Sequence, residues 1–176
     1  MDRKPMLPAV EKFVAGMRDV CARIEGDGKW GRCRDLLAEM LKDPALQRHA
    51  GDWPVGGFDG KKVDNLLFYE DPDYGFVING LIKNPGGLAV LAGAERIVQM
   101  TPGENGFTEG EASECGPGDV DIVPPWRIHA EYAGDEKTIA VIVRSQRSGT
   151  FEQFRHNDDG SKTQFPGPNQ VPYELA

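Results

Sequence analysis

Three histidines (His49, His129, His156) and three cysteines (Cys21, Cys33, Cys115) are the chain's stock of nitrogen and sulfur metal ligands. The cysteines show no C-x-x-C spacing, so neither a disulfide scaffold nor a zinc ribbon is expected. His49 follows a helical stretch in polar surroundings, and His156 stands beside Asn157. Polar turn segments lie at the surface, so both are expected to be exposed and uninvolved. His129 is placed differently. A glycine turn at Gly118, a short strand over 120–123 and the Pro124-Pro125 break precede a second strand that carries it. Alternation along that strand sets Arg127, His129 and Glu131 on one face and Ile128, Ala130 and Tyr132 on the other. The first three form the candidate pocket, with Arg127 read as the charge partner of Glu131. No residue is assigned a catalytic role.

Other chemistry finds less support. The chain has no G-x-S-x-G, H-E-x-x-H or Walker-type loop, and Gly56-Gly57 and Gly86-Gly87 read as turns. Asn157-Asp158-Asp159-Gly160 lacks the alternating oxygens and distal glutamate of a calcium loop. Cys115 precedes a Gly-Pro-Gly turn with no base beside it, which describes an inert thiol. Trp30, Trp53 and Trp126 are too scattered for a base-stacking platform.

The elements that must hold His129 follow from hydrophobic spacing. Val10, Phe13, Val14, Met17, Val20, Cys21 and Ile24 recur at helical intervals and predict a helix over 7–25, stopped by Gly26-Asp27-Gly28. Trp30, Cys33, Leu36, Leu37, Met40 and Leu41 predict a second, closed by Asp43-Pro44. From residue 63 the pattern changes to short apolar runs with a turn after each. Strands are expected over 63–69, 75–83, 88–91, 94–100, 120–123, 127–132 and 138–144, with 101–110 as a glycine-containing loop. That spacing suggests a sandwich or barrel rather than a parallel sheet with crossover helices. The expected organisation is an N-terminal helical appendage (1–50), a mainly β domain (51–146) and a polar, proline-punctuated tail (147–176) extended over the surface.

Twenty basic against 28 acidic residues give a net charge of -8. Affinity for DNA or RNA comes from clustered Lys and Arg, so no nucleic-acid partner is expected. No run approaches 18 apolar residues, and the segment after Met1 lacks an apolar leader core. No membrane association is expected, and the location is expected to be cytoplasmic.

The segment around His129 resembles the second motif of the cupin superfamily, G-x5-P-x-G-x2-H-x3-N. Gly118, Pro124 and His129 fit its register, with Trp126 at the second glycine and Ala133 at the asparagine. Other phrases are similar to those of metal-dependent double-stranded β-helix enzymes related to cysteine and other thiol dioxygenases. They are Leu66-Leu67-Phe68-Tyr69 with Phe76, Asn84-Pro85-Gly86, 91–97 and Glu114-Cys115-Gly116-Pro117-Gly118-Asp119-Val120. The resemblance covers 65–142 and implies a cupin-like jelly-roll barrel, a small-molecule ligand and a homodimer. It also implies an Fe(II) site of three histidines, of which His129 is one. The first motif, H-x-H, is missing: Gly87-Leu88-Ala89-Val90-Leu91-Ala92 contains no histidine.

That gap weighs heavily. A four-ligand structural zinc site is worth about 10–16 kcal/mol, so two lost ligands forfeit roughly 6 kcal/mol, about four orders of magnitude in affinity. The first reading is therefore a degenerate cupin, a small-molecule binding or structural protein with no cofactor. The alternative is an Fe(II)-dependent (or other divalent-metal) dioxygenase of a thiol or other small acid, with substitute ligands around His129.

Overall fold

The computed structural model describes residues 6–54, 63–83, 93–103, 106–124, 126–133, 138–147, 149–157, 159–167 and 170–176. The expected strand over 88–91 and the place of the missing first motif lie outside them. The architecture is mainly β with a helical N-terminal part.

Helices α1 (Pro8–Arg23), α2 (Lys29–Leu41) and α3 (Pro44–Gly51) come first. The Asp43-Pro44 pair that reads as a stop also starts α3. Asp43 accepts from the backbone N–H groups of Ala45 (2.8 Å) and Leu46 (3.0 Å), and Pro44 occupies the first turn, where its missing N–H costs nothing.

Among the described residues nine strands follow: β1 (Val63–Glu70), β2 (Val77–Lys83), β3 (Glu95–Gly103), β4 (Gly106–Cys115), β5 (His129–Ala133), β6 (Thr138–Arg144), β7 (Gln153–His156), β8 (Lys162–Phe165) and β9 (Gln170–Pro172). They form a four-stranded sheet (order β6-β2-β1-β9), a three-stranded sheet (β4-β3-β5) and the β7-β8 hairpin. The expected loop over 101–110 is instead the end of β3 and the start of β4. β4 is polar on both faces, so hydrophobic alternation gives no hint of it. Residues 120–123 are not a strand. Asp121 accepts from Ser113 Oγ (2.9 Å) and from the Ile122 N–H (2.7 Å), which ties this stretch to β4 by side chain rather than by a ladder. After Arg144 the chain makes the hairpin and then β9, which pairs parallel to β1, and Leu175 is 1% exposed.

The four-stranded sheet is buried on both faces. Leu66, Ile78, Ile82, Ile139 and Val141 share one continuous core with Val10, Phe13, Met17, Leu37 and Leu46 of the helices. An ion-pair clamp fixes α1 there. Arg18 donates to Asp71 (2.7 Å) and pairs with Asp73, while Asp71 also accepts from Tyr69 Oη and from the N–H groups of Asp73 and Tyr74. Burial by itself raises the Asp71 pKa, but these donors outweigh it and hold the carboxyl below its usual range. The opposite face carries Asn65, Val77, Asn79, Leu81, Ala140 and Arg144, as register and alternation require.

Candidate functional site

β5 starts at His129 and pairs with β3, setting Gln99 opposite His129 and Ile97 opposite Glu131. His129 and Glu131 share a face, and their side chains meet: His129 Nε2 lies 2.9 Å from Glu131 Oε1. The other ring nitrogen, Nδ1, lies 3.0 Å from the Arg127 carbonyl oxygen. A carbonyl only accepts, so Nδ1 carries a proton toward Arg127, and with Glu131 ionised Nε2 donates as well, the arrangement an imidazolium makes. The hydrogen bond to Glu131 raises the His129 pKa, partial burial opposes it, and the Arg127 carbonyl adds to the rise. Arg127 contributes its backbone carbonyl to His129, and Glu131 pairs with the other ring nitrogen.

A metal needs the lone pair of a neutral imidazole nitrogen. Both His129 nitrogens are already committed, and releasing Nε2 would break the bond to Glu131. Among the described residues no three His, Cys, Asp or Glu side chains are grouped to hold a metal ion.

The other histidines are not the exposed, uninvolved groups expected from sequence. His49 Nδ1 accepts the indole N–H of buried Trp53 (3.0 Å), and its ring meets Tyr173 edge-on with centroids 6.1 Å apart. His156 is half-buried and edge-on to Phe107 at 5.5 Å. Cys115 is buried, and burial followed by the nearby Asp121 and Asp119 raises its pKa, leaving a poor nucleophile. The outer face of β5 is less apolar than its residues suggest. Tyr132 donates to Glu109 (3.3 Å), and Arg96 lies over the Tyr132 ring and pairs with Glu109.

A second polar group went unrecognised in the sequence. Across the face of the four-stranded sheet turned away from the helices runs a row with one member per strand: Arg144 (β6), Asn79 (β2), Asn65 (β1) and Gln170 (β9). Asn79 Oδ1 accepts from Arg144 Nη1 (3.0 Å) and from Gln170 Nε2 (3.1 Å). Asn65 Oδ1 accepts a longer bond from Arg144 Nη1 (3.4 Å). Asn65 and Asn79 are fully buried, while Arg144 and Gln170 keep some exposure. Burial lowers the Arg144 pKa, and the charge of Glu131 opposes that shift. An asparagine inside an apolar strand run is the one sequence feature able to mark this row, because strands are depleted in it.

Trp126 has φ 75° and is 96% exposed. It occupies the glycine position of the motif resemblance, and its backbone adopts the left-handed region that glycine favours. A side chain there costs about 1–2 kcal/mol, partly offset by the roughly 0.5–1 kcal/mol entropic penalty of glycine. Trp126→Gly is expected to stabilise the fold by up to about 1 kcal/mol, read as a higher urea midpoint at unchanged slope. A lower midpoint would mean that the indole packs against something. Compared with known proteins, the chain matches no family model and no curated protein.

Proposed function

We propose that the chain is a small-molecule binding protein on a cupin-like jelly roll that operates without a metal. The observation that carries this is the double engagement of His129, each of whose ring nitrogens already has a protein partner. The polar groups it would offer a ligand are the His129–Glu131 pair on β5 and the row Arg144, Asn79, Asn65 and Gln170. An Fe(II) oxygenase would need one His129 nitrogen released and two further ligands brought to it.

Elemental analysis of protein purified without a metal-affinity tag tests the proposal. Iron, nickel and zinc are each expected far below one equivalent per chain, with the melting temperature unmoved by chelator. One equivalent of any of them, lost with a fall in stability on chelation, would overturn it.

A further inference from the structure

The polar row is unfinished. Asn65 uses Oδ1 on Arg144, but Nδ2 of the same buried amide has no hydrogen-bond partner. Gln170 uses Nε2 on Asn79, but its buried Oε1 has none. Arg144 donates through Nη1, and no carboxylate among the described residues lies within ion-pair distance of it. Buried polar groups are normally satisfied, and a desolvated guanidinium normally has a counter-ion. Here an unpaired cation, an orphaned donor and an orphaned acceptor sit in one row across adjacent strands. Arg144 and Gln170 are half-buried, while Asn65 and the two orphaned atoms are enclosed.

We propose that Arg144, Asn65 and Gln170 form the binding site for a small monocarboxylate bearing a hydroxyl or amine donor beside its acid group. This rests on the small-molecule reading above. The free guanidinium nitrogens of Arg144 and Asn65 Nδ2 hold the carboxylate, because a guanidinium fork matches two carboxylate oxygens. Gln170 Oε1 accepts from the neighbouring hydroxyl or amine. Charge selects a monoanion. Arg144 has no carboxylate within ion-pair distance among the described residues, and the charge of Glu131, felt at Arg144, disfavours a phosphate dianion.

Thermal-shift and calorimetric titration of the full chain with acetate, glycolate, inorganic phosphate and neutral acetamide, at ionic strength held constant with chloride, tests the assignment. Glycolate is expected to bind best and acetate next, with roughly millimolar affinity for molecules this small. Arg144→Met is expected to weaken both by about 10- to 100-fold. Asn65→Asp supplies a built-in carboxylate beside Arg144, so it is expected to raise the melting temperature and abolish the response, and it serves where Arg144→Met fails to fold. Phosphate binding more tightly than the carboxylates, or a carboxylate response unchanged in Asn65→Asp, would overturn the assignment. Binding of acetamide alone would overturn it while leaving the small-molecule reading standing. No binding by any probe would remove both.

Discussion

Gly80→Ala is expected to destabilise the protein by about 3 kcal/mol and lower its melting temperature by roughly 6–12 °C. Gly80 sits in the middle of β2, opposite Leu66 on β1 and Val141 on β6. A Cβ there would lie 2.2 Å from Phe68 Cζ, 2.9 Å from Phe68 Cε2 and 3.0 Å from Trp53 Cζ3. Neither ring has an easy exit. Trp53 is 1% exposed and tied to His49 through its indole N–H, and Phe68 is packed on Trp53 with ring centroids 4.9 Å apart. The absent side chain is therefore what lets the segment after α3 close over the sheet. Thermal unfolding of Gly80→Ala beside the double variant Gly80→Ala/Phe68→Leu checks this, with partial recovery expected in the double. A Gly80→Ala melting temperature equal to that of the parent would show that Phe68 does not cover this position.

Asn79→Ala is expected to cost about 3–5 kcal/mol, more than its small side chain suggests. The loss comes from what remains behind. Arg144 Nη1 loses its 3.0 Å acceptor and Gln170 Nε2 its 3.1 Å acceptor, in a place where Asn79 itself is wholly buried. A largely buried charge left with only its longer 3.4 Å bond to Asn65 is a heavier penalty than the net value of the bond it lost. Removing the charge as well should restore part of the stability, so Asn79→Ala/Arg144→Met is expected to lie above the sum of the single losses. Denaturant unfolding of the four proteins measures the coupling. Strict additivity would mean that Arg144 does not depend on Asn79.

Those two positions also show where the sequence is legible. Strand β6 reads directly, because Thr138 to Arg144 is an apolar run between turn residues and the sheet buries it on both faces. Helix α1 reads equally well from its apolar stripe. The shared face of His129 and Glu131 follows from alternation, but not their hydrogen bond, which depends on how two neighbouring side chains lean. Helix α3 was hidden because Asp43-Pro44 both ends one helix and begins another. β4 was hidden because Thr108 to Glu114 has no apolar face. The row Asn65–Asn79–Arg144–Gln170 assembles from four strands as far apart as residues 65 and 170, and no local pattern brings them together. Pairing of the sheet alone creates it.

The most direct test of the account is the protonation state of the His129 ring, read by nitrogen-15 NMR of the imidazole across a pH titration, with and without zinc. The His129 pKa lies above its ordinary value, so below the unfolded value near 6.5 the ion pair contributes its full stabilisation. That contribution fades as pH rises through the folded value, and in Glu131→Gln the titration should move back down. At a pH below the folded value both ring nitrogens are predicted to carry protons, and added zinc should leave their shifts unchanged. A neutral ring at that pH with one bare nitrogen, shifted by zinc at one equivalent, would contradict the account.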